Sequence, residues 1–179
     1  RRHRAYAEDR TSFYLANEDV VRTLHDFVER SQQAQKAHKP LLVTGPSGRG
    51  KSALVSYWLT ELMEEKPDQW VIEHYAGVTG DDNATATLTR IINEIRQVLA
   101  PEDTEQLPSK FDDLCETFSS WLGKIPTDQP LLLVIDAINQ ISAPNLRWIP
   151  TIAPANVTCV LSALPSEQAQ PAAAFASRP

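Results

Sequence analysis

Apolar positions along this chain follow two rhythms that alternate from one end to the other. Between Asn17 and Ser31, the side chains Val20, Val21, Leu24, Phe27 and Val28 fall on one face at a spacing of about 3.6 residues, which predicts an amphipathic helix. Asn17 is a suitable N-cap, and Glu18 and Asp19 place negative charge in the first turn, where the helix dipole favours it. Pro40 to Thr44 is then a short apolar run that predicts a buried strand. Helical spacing returns at Leu54, Val55, Trp58, Leu59, Leu62 and Met63, and Pro67 with Asp68 ends that unit. Trp70 to Tyr75 reads as a second strand.

Gly80 to Asn83 reads as a turn opening a further helix, whose buried face is marked by Leu88, Ile91, Ile92, Ile95, Val98 and Leu99, with Pro101 as its stop. Ser109 and Asp112 form a capping-box pattern before another stripe, Phe111, Leu114, Cys115, Phe118, Trp121 and Leu122. Leu131 to Ile135 is aliphatic throughout and leads into Asp136. A strand apolar on both faces suits the centre of a parallel sheet covered by helices. Val157 to Leu161 is a similar strand. Strands alternating with helices predict an α/β fold with a mainly parallel sheet. Beyond Pro165 the chain turns Ala/Pro/Ser-rich and loses periodicity, so 166–179 reads as a linker or frayed end and 1–13 as a tail, with one domain over 14–165.

One segment adds chemistry to this picture. Gly45-Pro46-Ser47-Gly48-Arg49-Gly50-Lys51-Ser52 matches the full Gly-x-x-x-x-Gly-Lys-Ser pattern, with an apolar strand before it and an amphipathic helix from Ala53 onward after it. Glycines there let the backbone take positive φ and approach an anion without a Cβ in the way. Successive N–H groups and the helix N-terminus then cradle phosphates. Lys51 is placed to bridge the β- and γ-phosphates, and the Ser52 hydroxyl to bind Mg²⁺. Arg49 has two readings, a phosphate contact or a solvent-facing side chain, and the pattern leaves its position free. The whole run from Gly45 to Ala53 is the expected nucleotide-binding segment.

A triphosphate site also needs a carboxylate for magnesium. Asp136, ending an aliphatic strand, has that place; the alternative is an acid capping a turn. The residues after it, Ala137, Ile138, Asn139 and Gln140, include no carboxylate to polarise an attacking water. Asn139 or Gln140 could orient water by hydrogen bonding instead, as a glutamine does in some GTPases. The expected catalytic set is therefore Lys51, Asp136 and Asn139, with Ser52 and Asp136 on the metal, and hydrolysis slow. Ser162, following the last strand, reads either as a γ-phosphate sensor or as a plain strand-end serine. His74 reads as a core or surface histidine rather than a base.

Composition narrows the partners. Acidic residues outnumber basic ones 23 to 17, for a formal charge of −6, which argues against a nucleic-acid-binding surface. Arg1, Arg2, His3 and Arg4 form the one basic cluster, in the tail. No apolar run reaches the ~20 residues needed to span a bilayer, and the N-terminus lacks an apolar leader segment. Cys115 and Cys159 sit in apolar runs without ligand-type neighbours and read as buried hydrophobes of a reducing compartment. A cytoplasmic protein is expected, without membrane or nucleic-acid partners.

With both motifs in place, the chain resembles a NACHT-type NTPase of the STAND class, signal-transduction ATPases with numerous domains. The resemblance is carried by the phosphate loop with Ala53 and Leu54, by His74-Tyr75-Ala76-Gly77, by Leu131 to Gln140 (LLLVIDAINQ), and by Val160 to Pro165. The Leu131–Gln140 stretch is similar to that of nephrocystin-like members that carry TPR or WD repeats. It implies a three-layer P-loop fold in which the Val157–Leu161 strand inserts between the phosphate-loop strand and the Asp136 strand. The phosphate-loop strand then lies near an exposed edge, the fold being truncated after the sensor strand. Where relatives often carry a Gly-Arg pair, this chain has Phe13 to Asn17, and its sensor strand lacks an arginine found in some of them.

The resemblance further implies a fragment of a larger protein, continued elsewhere by a winged helix and repeats. Its function would be an ATP- and Mg²⁺-dependent switch, GTP being the weaker candidate for want of an Asn-Lys-x-Asp motif. Self-association or protein partners would act through the other domains. A turnover ATPase or small-molecule kinase and a non-hydrolysing scaffold are the competing readings; scattered Arg90, Arg96 and Arg147 do not suggest a kinase lid.

Overall fold

The computed structural model describes residues 17–78 and 83–165; the expected tail, most of the Gly80–Asn83 turn and the expected linker from 166 lie outside them. The elements are α1 (Glu18–Ala34), β1 (Leu41–Thr44), α2 (Lys51–Glu65), β2 (Trp70–Tyr75), α3 (Ala84–Leu99), α4 (Phe111–Gly123), β3 (Leu131–Asp136), a 3₁₀ turn (Ile138–Gln140) and β4 (Val157–Ala163). The four strands form a sheet in the order β1-β4-β3-β2, with every pairing parallel. The last strand thus lies between the phosphate-loop strand and the Asp136 strand, with β1 at an edge, as the resemblance implies.

Alternation along the central strands divides the core into two layers. Leu131, Leu133 and Ile135, with Cys159 and Leu161, face Leu88, Ile91, Ile92 and Ile95 of α3 and Leu114, Phe118 and Trp121 of α4. Leu132, Val134 and Val160 face Val21, Leu24 and Val28 of α1 and Leu54, Val55, Trp58, Leu59 and Leu62 of α2. Strands buried on both faces need apolar side chains at every position, which is why β3 shows no polar alternation. No described helix is long and apolar enough to cross a membrane.

Helix starts differ in one place from expectation. Asn17 caps α1 through its side chain to Val20 N, and Asn83 caps α3 through Ala86 N at 2.8 Å. The Ser109–Asp112 capping box does not form: α4 begins at Phe111 with Lys110 as its cap and no side-chain cap bond. Asp112 instead pairs with Arg147 at 3.2 Å, a contact between α4 and the segment before β4. Val98 is exposed rather than on the buried face of α3. The strand β4 runs to Ala163, so Ser162 lies inside it rather than after it.

The segment between β3 and β4 has no helical or strand rhythm, yet Trp148, Ile149 and Ala153 are buried there. His38 and Ala153 exchange backbone hydrogen bonds at 3.1 and 2.8 Å, which ties this segment to the entry of β1. Cys159 is fully buried, which pushes its thiol up to about 12, and burial also raises Cys115. Both are free thiols buried among apolar side chains.

Candidate nucleotide-binding site

The site lies where the C-terminal ends of β1, β3 and β4 meet the N-terminus of α2. Open parallel sheets place ligands at this end, where helix N-termini and loops converge. Ser47, Gly48, Gly50, Lys51, Ser52 and Ala53 line one wall of a cleft of about 500 Å³. Asp136, Ala137, Asn139 and Gln140 line the opposite wall, with Ala76, Gly77, Ser162 and Leu164 between.

The loop takes its shape from two left-handed glycines. Gly48 has φ 73° and Gly50, the N-cap of α2, has φ 80°. The first helical bond then runs from Leu54 N to Gly50 O at 2.8 Å. A Cβ at a left-handed position costs roughly 1–2 kcal/mol. Gly50→Ala is expected to lower stability by about that much and to weaken nucleotide binding, as read by denaturant unfolding and nucleotide titration.

Lys51 curls back over the loop, its Nζ donating to the carbonyls of Gly45 at 2.7 Å and Pro46 at 3.0 Å. Arg49 is exposed and does not line the cleft; its backbone N–H reaches Pro46 O at 3.4 Å. The loop therefore presents one positive side chain to the cleft, together with the backbone N–H groups of a helix start.

Asp136 is almost wholly buried, and both of its oxygens accept hydrogen bonds. Ser52 Oγ donates to Oδ2 at 2.5 Å, from across the cleft. Ser162 Oγ donates to Oδ1 and accepts from Ala137 N at 2.8 Å. Ser162 is thus a brace for the Asp136 carboxylate, and its hydroxyl is used on β3 and the turn behind it. Ala137 takes φ 58°, a left-handed turn that swings the chain out of β3 immediately beyond Asp136. Asn139 lines the cleft, and its Oδ1 accepts from Leu164 N at 3.1 Å.

His74 is buried on the α3 side, beside Thr87 and with Arg90 against its Nδ1, and it does not line the cleft. Sequence reasoning did not single out Ala137 or Leu164. Nothing in their own side chains signals a site, because they contribute backbone conformation and a backbone donor.

The residues present fit a triphosphate with Mg²⁺. The two glycine-shaped bends leave the loop free of Cβ atoms where the phosphates would approach. Ser52 and Asp136 offer hard oxygen ligands already within hydrogen-bond reach of one another. One hydroxyl and one carboxylate leave most of an octahedron to phosphate oxygens and water, which is how Mg²⁺ is usually held in such sites.

The chain belongs to the AAA ATPase domain family, whose sequence profile matches residues 17–170. It is a P-loop NTPase of NACHT-like kind. It is 27% identical over 176 residues to human NACHT and WD repeat domain-containing protein 2, covering 92% of this chain and 10% of that protein. Human nephrocystin-3 is 28% identical over 129 residues, covering 69% of this chain and 10% of that protein. The chain therefore spans about a tenth of the length of these relatives. Among solved structures, one of the Drosophila ORC bound to AT-rich DNA and Cdc6 shares the fold with a TM-score of 0.52 at 12% identity, over 90% of this chain and 49% of that one.

Proposed function

We propose that this domain, spanning 14–165, is the ATP-responsive core of a larger signalling protein. It binds ATP with Mg²⁺ and hydrolyses it slowly, so that the bound state persists long enough to be read by partner domains. The observation that carries this reading is the hydrogen-bonded line Ser52–Asp136–Ser162–Ala137, which joins α2, β3 and β4 across the cleft. A ligand engaging Ser52 and Asp136 acts on three elements at once. Such differential contacts are what a two-state response requires. Lys51 would hold the phosphates, and Ser52 and Asp136 the metal, which supplies charge neutralisation between the β- and γ-phosphates.

Slow turnover is supported by the cleft lining: among the described residues, Asp136 is its only carboxylate. Among the described residues no arginine lines it either. Arg96 is bound to Asp103 at 2.6 Å, Arg147 to Asp112 at 3.2 Å, and Arg90 to Glu94, which weighs against a kinase lid. The family's ATPase name and the lack of an Asn-Lys-x-Asp guanine motif favour ATP over GTP. The repeats named in one relative are the sort of module through which such a switch would meet protein partners. The likeness to the origin-recognition structure concerns the fold, and the acidic balance of this chain weighs against a nucleic-acid surface.

Parallel titrations with ATP and GTP, followed by steady-state turnover, test the reading. The expected result is tighter binding of ATP and a kcat below ~1 s⁻¹. A kcat in the ordinary enzyme range, well above that value, overturns the switch. Asp136→Asn separates the metal from the nucleotide. It is expected to weaken binding about tenfold or more with Mg²⁺ present, while affinity in EDTA stays within about twofold. Equal losses in both conditions would remove Asp136 from the metal site.

A further inference from the structure

We infer that Gln140, rather than Asn139, aligns the water that attacks the γ-phosphate; this rests on the ATP reading above and assigns it a residue. Both carboxamides reach the cleft because the chain reverses directly after Asp136. Ala137 is left-handed, Gln140 N bonds back to Ala137 O at 2.8 Å, and Ile138 is buried beneath the turn. The two side chains then meet different fates. Asn139 is half-buried, and its oxygen is turned onto the backbone of Leu164, so it fastens the turn to the end of β4. Gln140 is exposed at the cleft, and its side chain makes no hydrogen bond among the described residues.

Its position is also directed. Gln140 Oε1 lies over Gly77 at the end of β2, where a Cβ on residue 77 would stand 3.8 Å from it. Gly77 has φ 85°, a left-handed conformation that side chains rarely adopt, which sets the backbone against which Gln140 lies. The other polar side chains of the cleft are otherwise disposed. Ser52 and Ser162 are bound to Asp136, Asp136 accepts with both oxygens, Lys51 only donates, and Ser47 belongs to the phosphate loop. Among the described residues, Gln140 therefore supplies the uncommitted side-chain acceptor on the wall opposite the loop.

The chemistry asks for such an acceptor. The water oxygen bonds to the γ-phosphorus as the bond from phosphorus to the β–γ bridging oxygen breaks, and that electron pair leaves with ADP. A carboxamide oxygen accepts a hydrogen bond from one water O–H, which turns a lone pair toward phosphorus. It cannot take the proton, which passes to a γ-phosphate oxygen, and inorganic phosphate results. Orientation without a base fits slow hydrolysis.

The test compares single-turnover ATP hydrolysis by the wild-type chain, Gln140→Ala, Gln140→Glu and Asn139→Ala, with binding of the β,γ-imido analogue of ATP and Tm measured for each. Gln140→Ala should slow hydrolysis about tenfold or more with analogue affinity within about twofold and an unchanged Tm. Gln140→Glu, which adds a base at the same reach, should exceed the wild-type rate. Asn139→Ala should lower Tm as well as rate, since it releases the end of β4. A wild-type rate in Gln140→Ala, or no gain in Gln140→Glu, overturns the assignment while analogue binding still upholds the nucleotide site. Failure of the wild-type chain to bind the analogue overturns both.

Discussion

Lys51→Ala is expected to abolish measurable triphosphate binding and to leave the fold intact. The side chain is half-buried, and its polar contacts are to carbonyls of its own loop, Gly45 and Pro46. It packs no core: α2 is anchored by Leu54, Val55, Trp58, Leu59 and Leu62, all on its buried face. Truncation therefore removes about 1 kcal/mol of stability or less, within the usual range for a partly exposed substitution. The cost to binding is far larger. Hydrogen bonds to charged groups contribute about 1.5–3 kcal/mol each, so two phosphate contacts are worth roughly 10²–10⁴ in affinity. Lys51→Arg should not restore it, because a planar fork replaces a compact charge in a loop shaped for the latter. Calorimetric titration with ATP and Mg²⁺, alongside circular dichroism, reads both quantities. Affinity that survives the alanine change would remove the phosphate loop from the proposal.

The second large effect is on stability. Trp58→Ala should cost about 3–5 kcal/mol and lower Tm by about 10 °C or more. Trp58 is fully buried on the helix that follows the phosphate loop, packed between α1 and the sheet residues Leu132, Val134 and Val160. Domains of this size are stable by only about 5–15 kcal/mol, so a cavity there spends a large fraction of the total. Trp58→Phe is the informative companion. The indole Nε1 is buried with no hydrogen-bond partner among the described residues. Removing that donor offsets part of the lost volume, and the expected cost is below about 1.5 kcal/mol. Thermal unfolding of the two variants side by side checks the difference.

How much of this was readable beforehand depended on how local each cause is. The phosphate loop is eight contiguous residues whose types follow from backbone conformation, and it stands where its pattern predicts, between β1 and α2. The aliphatic run of β3 is equally local, because burial on both faces leaves its mark on consecutive positions. The place of β4 between β1 and β3 came from family resemblance; no periodicity carries strand order. What escaped is tertiary. The carboxamide of Asn139 is taken up by Leu164, 25 residues away, and Ser162 by Asp136, 26 residues away. Trp148, Ile149 and Ala153 are buried by what packs around them, without any rhythm of their own. The failed cap at Ser109 belongs here too, since Asp112 is drawn to Arg147 on another segment.

The sheet order also constrains when the site can exist. β1 pairs only with β4 among the described strands, Leu41 against Val160 and Thr44 against Ala163. β1, from which the phosphate loop leaves, therefore gains its strand partner only once β4 has been made. Pairing strands so far apart in sequence is a high-contact-order step, slow because the loop-closure entropy is paid before the contacts form. A nascent chain would have to complete β4 before the phosphate-loop strand is seated in the sheet, so the proposed nucleotide site forms only after that long-range pairing.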